Sequence, residues 1–371
     1  MRKNIAGRGK ARIFGISIAV PLLLAAAFGL ASCQKKSAAA GQQKLEKFNI
    51  IADPNLTSNP LAIIARERGY FQEEGLDPNF IFLRDGRTEA LSTGKGDIYL
   101  QELIPPLVYA SQGAPVKIIG GTLSGGNYVI TRPENAQKYA RLEDWKGARL
   151  GTVRLSTSEM VSRYALGNTS LDLSKDVSFH EIDNYVNIIE AVRKGQVDIG
   201  FIGGGPFRKS ALDLGLVILF PMNRMSPNYL CCRLNAYTPS LQAKRGLFVN
   251  FLQAYLRAYR DFTDPVQRDG IVEMFAELTS QSPEFVIETI FDSELNGERS
   301  YNPDPDLSRV INVWDTLIAT NYIQPGGIDI KDVVDTTVYR EALENIKQRY
   351  PGEILFEELT AYYEENDLGV Q

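Results

Sequence analysis

Gln101 and Glu102 follow one short apolar run, and Gly203, Gly204 and Gly205 follow another. An amide beside a carboxylate can donate and accept hydrogen bonds to a single solute, and consecutive glycines let a main chain come close to it. The 53–59 loop adds Asn55 and Ser58, Ser156, Thr157 and Ser158 add hydroxyls at a helix start, and Asp183 with Asn184 closes a third apolar run. Such residues recognise by hydrogen bonding and charge; they do not set a nucleophile against a base. His180 is the single histidine and alternates with Phe179 and Ile182 in a strand-like run, and the three cysteines have no spacing that would hold zinc. No metal, cofactor or catalytic residue is expected.

Each candidate has a plainer reading. Residues 156–158 can be a helix cap alone, 203–205 a turn, and Gln101 a solvated side chain. The triple glycine lacks the GxGxxG and P-loop spacings, so its place after a strand is what singles it out. Tyr128, Asn228 and Tyr229 fall on extended segments that could line a cleft. Cys231-Cys232 reads either as a vicinal disulfide or, preferred, as two small apolar residues in a strand. Arg154 and a helix N-terminus suit an anion, whereas Asp53, Glu102 and Asp183 suit a cation or a heterocycle rich in donors. The acids outnumber the bases, which favours a nitrogenous organic solute over nitrate.

The elements that would position these residues are announced by a repeat. Glu89 to Leu100 returns 101 residues later as Glu190 to Phe201, each copy carrying Glu-Ala, then Gly, then Asp-Ile. A helical run that stops at Gly and feeds an apolar strand, twice, predicts two similar α/β lobes with a cleft between them. Strands are expected at 47–52, 79–83, 97–100 and 116–120, and again at 148–154, 177–182, 198–202 and 216–220, separated by helices as in a parallel sheet. Ligands of such sheets sit beyond the carboxyl ends of the strands, where helix N-termini expose N–H groups. Segments 128–133 and 227–234 are expected to cross between lobes. Beyond Thr238 the pattern turns helical, and a stripe from Leu247 through Phe251 and Tyr255 to Tyr259 is expected to pack as core.

Composition bounds the rest. The 371 residues are 44% hydrophobic and 23% charged, which is ordinary for a globular protein with two cores. The first 32 residues differ: five basic residues precede an uncharged run from 13 to 32, and Leu30-Ala31-Ser32 leads into Cys33. This is the form of a secretory signal, and its exit is similar to a lipoprotein box in which the chain is cut before an acylated cysteine. Residues 1–32 therefore read as a signal peptide and 33–45 as a flexible tether. Loss of the signal removes five of 40 basic residues and none of the 45 acidic ones, so the net charge moves from −5 to about −10. Nucleic acid is excluded as a partner on that balance. Residues 46–130 with 228–371 read as one lobe carrying C-terminal helices, and 131–227 as the other.

Four landmarks carry a family resemblance: Leu61 to Leu76, the Gly94-x-x-Asp97-Ile98 step, Gly113 to Ile118, and Asp144 to Gly151. Together they resemble the substrate-binding proteins of ABC importers for nitrate, sulfonates, taurine and thiamine-type pyrimidines. The resemblance implies a type II periplasmic-binding fold that closes on a small solute and hands it to a membrane permease; with the lipoprotein box at Cys33, an extracytoplasmic, lipid-anchored monomer is expected. Fungal pyrimidine-synthesising enzymes resemble the same family, but Cys231-Cys232-Arg233 is too short for their cysteine-rich motif. A related enzyme, of the pyrimidine-synthase or lyase type, or an extracytoplasmic sensor are the alternatives.

Overall fold

The computed structural model describes residues 44–324 and 326–368. The expected signal at 1–32, the lipidation site Cys33 and the tether up to residue 43 lie outside the described residues. Among the described residues eleven strands are found: β1 (Glu46–Ala52), β2 (Leu76–Phe82), β3 (Ile98–Tyr99), β4 (Val116–Ser124), β5 (Asn127–Thr131), β6 (Ala148–Thr152), β7 (Val177–Glu181), β8 (Ile199–Gly203), β9 (Val217–Pro221), β10 (Leu230–Tyr237) and β11 (Ser300–Tyr301). They form two sheets, in the orders β11-β4-β10-β3-β1-β2 and β7-β6-β8-β5-β9.

The two sheets share one plan. In the first, β1 lies parallel between β2 and β3; in the second, β6 lies parallel between β7 and β8. Beside each third strand runs an antiparallel strand at a crossing: β10, inserted between β3 and β4, and β5, inserted between β8 and β9. The sheets are therefore mixed rather than parallel. The crossing segments are extended, as their sequence predicts, and each takes the place of a sheet strand because its backbone groups would otherwise be buried unpaired. The outward crossing is Gly125-Gly126, between β4 and β5, so the lobe boundary expected after residue 130 falls inside β5. Both glycines have positive φ, and a side chain at Gly125 would fall 2.6 Å from the Glu298 carbonyl oxygen. Only glycine passes there.

The repeat is a structural one. The helix Arg87–Ser92 ends before Gly94, and Tyr185–Arg193 before Gly195, both glycines left-handed. Asp97 then accepts the Asn49 N–H of β1 at 2.8 Å, and Asp198 accepts the Arg149 N–H of β6 at 2.9 Å. Each conserved-in-copy Asp thus pins its lobe's third strand to its first. The aromatic stripe packs as core: Phe251 of the helix Arg245–Thr263 stacks on Phe71 and Phe48, with Phe248 edge-on to Phe48. Burying each such ring contributes about 2–3 kcal/mol. The C-terminal helices do more than support the first lobe. Helix Leu307–Ala319 shares one apolar cluster with Met160, Val161 and Leu166 of the second lobe's helix Thr157–Gly167. Among the described residues no helix is long and apolar enough to cross a membrane.

Candidate functional site

The strand exits converge where the sheet plan requires. The β3 exit brings Gln101, which is buried, and Glu102; the β6 exit brings Ser156–Ser158; the β8 exit brings Gly203–Gly205. Three non-glycine residues beside these exits and the return crossing are held at positive φ: Glu102 (58°), Leu155 (57°) and Asn228 (51°). Each costs on the order of 1–3 kcal/mol and persists only where the surroundings impose it, which is characteristic of binding sites. Gly205 adopts φ 59°, ψ −120°, a conformation open to glycine alone, and a side chain there would strike Thr289 at 2.9 Å.

Contact between the walls is direct. Thr157 Oγ1 donates to the Cys231 carbonyl of β10 at 3.2 Å, joining the second lobe's helix start to the first sheet. Gly203 packs on Tyr185 and Phe207, and Gly204 stands between the Gly126 carbonyl, Tyr128 and Arg299. Burial raises the Tyr185 hydroxyl well above its ordinary value, followed by Cys231, while its hydrogen bond with Ser158 acts the other way. The segment leading to β11 straps the crossing: Gly126 N–H donates to Gly297 at 3.0 Å, the Tyr128 hydroxyl to the Leu295 carbonyl, and Asn223 Nδ2 to the Glu298 carbonyl at 3.3 Å. Burial pushes the Tyr128 hydroxyl up to about 12.

Arg299 comes out of that strap. Its Nη2 lies 3.0 Å from where a side-chain carbon at Gly204 would stand, its Nη1 donates to the Thr289 carbonyl at 3.3 Å and to the Tyr301 hydroxyl at 3.5 Å, and its buried Nε has no partner. Among the described residues no carboxylate pairs with it. The acids expected to set the solute's charge are differently placed. Arg87 pairs with both Asp53 and Glu102, the latter at 2.8 Å, so one guanidinium offsets one of two carboxylates and the trio keeps a net charge near −1. Asp183 is exposed, as is Arg154. The count of acids over bases therefore does not describe the site, because pairing rather than number sets the local charge.

Beside this cluster opens a groove of about 630 Å³, walled by Asn55 and Thr57 from the β1 exit, Lys209 and Ser210 from the helix Pro206–Asp213, and Thr279 and Gln281. The helix that follows the glycine loop forms one of its walls. Asn59, 3% exposed at the start of the helix Pro60–Glu67, has neither amide atom hydrogen-bonded, although its position predicts a cap. A buried amide left unpaired is uncommon in a folded protein.

The remaining expectations divide. Ser156 caps the helix Thr157–Gly167 by accepting the Glu159 N–H at 3.1 Å and meets Ser158 Oγ at 2.9 Å. Tyr229 is buried in the crossing, its hydroxyl accepting the Asn127 N–H at 2.9 Å and donating to Asn127 Oδ1 at 2.8 Å, so it ties the two crossing strands together. Ser58 is half-buried in its turn, and His180 is exposed on the edge strand β7 beside Ser178. Sequence reasoning missed Arg299, Arg87 and Tyr185. Arg87 had a signal: it stands where the second copy of the repeat has Ile188.

Two sheets of one plan, joined by two crossing strands around a polar cleft, define the type II periplasmic-binding fold. The chain belongs to the NMT1/THI5-like family, whose model matches residues 59–267. YtlA of Bacillus subtilis (strain 168), named as a candidate binding protein, is 24% identical over 302 residues, covering 78% of this chain and 85% of YtlA. A 4-amino-5-hydroxymethyl-2-methylpyrimidine phosphate synthase of Uromyces fabae is 24% identical over 162 residues, covering 42% of this chain and 45% of the synthase. Among solved structures, the periplasmic nitrate-binding protein NrtA of Synechocystis PCC 6803 superposes with a TM-score of 0.69 at 15% identity, covering 82% of this chain and 90% of NrtA. That likeness is one of fold.

Proposed function

We propose that the chain is the solute-binding component of an ABC importer, which captures a small organic solute between its lobes and delivers it to a membrane permease. The observation that carries this reading is Arg299: a guanidinium between the two walls, beside a glycine loop that lets a ligand approach, with no carboxylate to answer it. A half-buried cation of this kind favours a solute with a carboxylate or sulfonate end, since a charge-assisted, forked contact is strong and directional. The solute is thus anionic at one end rather than chiefly nitrogenous. Gln101, Glu102, Thr157 and Gly203–Gly205 line the buried part, and Asn55 lies in the groove leading to it. Hinge closure would bury the solute and present the closed form to the permease. The signal at 1–32 and acylation of Cys33 would hold the protein outside the cytoplasm on a membrane face.

A thermal-shift and calorimetric screen of the chain from residue 34 tests the reading. Small carboxylates and sulfonates are expected to include one series that raises the melting temperature, because a ligand at a hundred times its Kd adds about 2.7 kcal/mol. Stabilisation by polyamines or other cations alone would overturn the assignment of charge. The synthase relative supports a second reading, a fold-related enzyme. Conversion of a bound candidate in the same samples would replace transport with catalysis.

A further inference from the structure

Cys231 and Cys232 are neighbours in β10, and nothing in the solute reading uses their sulfur chemistry. In a regular strand, adjacent side chains point to opposite faces. Here they do not: the Cys232 thiol donates to the Cys231 sulfur at 3.0 Å. The cause is visible in the ladder, where the register of β10 against β4 shifts between Leu230 and Cys232 and again between Cys232 and Arg233, leaving Cys231 without a partner in β4. An irregularity of this kind turns two successive side chains toward the same side. Both thiols are free; Cys231 is half-buried and Cys232 is buried.

We infer that Cys231-Cys232 is a redox modification site, a dithiol that closes to a vicinal disulfide by exchange with a small-molecule disulfide of the glutathione class. The chemistry balances in two displacements. The Cys231 thiolate attacks one sulfur of the oxidant, forming a mixed disulfide and expelling one thiolate. The Cys232 thiolate then attacks the Cys231 sulfur, forming the vicinal bond and expelling the second. Two protein thiols are oxidised, one disulfide is reduced to two thiols, and the protein protons pass to the leaving thiolates or to water.

The order of attack follows from the surroundings. The hydrogen bond from Cys232 is the largest influence lowering Cys231, against burial, and Arg299 acts in the same direction; Cys232 is raised by that hydrogen bond and by burial. The more exposed sulfur is therefore the one poised to attack, and the buried one resolves. Adjacent α-carbons are about 3.8 Å apart, shorter than the usual span of a disulfide, so the bond once made is reopened more readily than a structural one. Because the Cys231 carbonyl accepts from Thr157, the site lies on a contact between the lobes.

The full chain, incubated in glutathione redox buffers, then acid-quenched, alkylated and digested, tests this without reference to any solute. Expected is a single peptide containing Cys231 and Cys232 that has lost the mass of two hydrogen atoms and takes no alkylating label until reduced. Its reopening is expected in buffers more oxidising than those that reduce ordinary structural disulfides. In the Cys232→Ser chain the expected product is a glutathione adduct that persists on Cys231. Wild-type chains that keep alkylatable thiols at both positions, hold a stable glutathione adduct, or bridge either cysteine to Cys33 instead would overturn the proposal. The wild-type result stands even if the variant does not fold.

Discussion

Arg299 holds a positive charge in a place where desolvation opposes it and where Tyr301 and the two cysteines favour it. Such a group gains most when an anion arrives. The Arg299→Gln substitution keeps a donor and removes the charge, and is expected to weaken binding of the stabilising solute by about 2–3 kcal/mol, on the order of a hundredfold in Kd. Calorimetry on the two proteins measures this, and an unchanged Kd would place the solute elsewhere. Asp183→Asn serves as the control, since that carboxylate is exposed. At this scale the sequence was legible only where function coincides with local structure. Gly203–Gly205 and Thr157 could be found from their place after strands. Arg299 could not, because no periodicity marks 292–301 and only the folded strap carries it to the glycine loop.

Among the elements, the repeated helix-Gly-strand unit was readable because it is written in contiguous residues with a fixed chemistry: a left-handed Gly and an Asp that pins one strand to another. The strand orders were not. Nothing local says that β10 enters between β3 and β4, since that place is decided by which edge remains unpaired. The C-terminal elements hold a further unread feature. Asp304 and Asp367 are buried, and the Oδ2 of each has no hydrogen-bond partner. Burial first, then the Asp367 carboxyl, holds Asp304 well above the ordinary carboxylate range. A carboxyl raised in the folded state keeps its proton there and loses it sooner on unfolding. Its contribution is full below the unfolded value near 3.8 and declines as pH rises through the raised folded value. The Asp304→Asn chain is therefore expected to lose less melting temperature than the wild type as pH is raised above that lower limit. Parallel slopes in a pH series of thermal melts would show that the pair is not the cause.

For the whole molecule, the two-lobed fold and the family were legible because the landmarks lie along the chain in order. The third link between the lobes, made by the strap and by helix Leu307–Ala319, was hidden because it depends on residues more than a hundred positions from the crossing they touch. Anchoring belongs to this scale too. A chain expressed in a bacterium supplied with a labelled fatty acid is expected to take up the label and fractionate with membranes, whereas Cys33→Ser is expected to do neither. Label retained in the Cys33→Ser chain would remove the lipid anchor from the proposal.

The insertion of β10 between β3 and β4 bears on how the protein is made. All five strands of the second sheet come from one unbroken stretch, 127–221, while the first sheet draws on both sides of it. As the chain leaves the ribosome, the second lobe has every strand it needs before β10 exists. Until residues 230–237 emerge, β3 and β4 each present an open edge to any passing strand. The lobe begun first is the lobe finished last, and the nascent chain is most vulnerable in that interval.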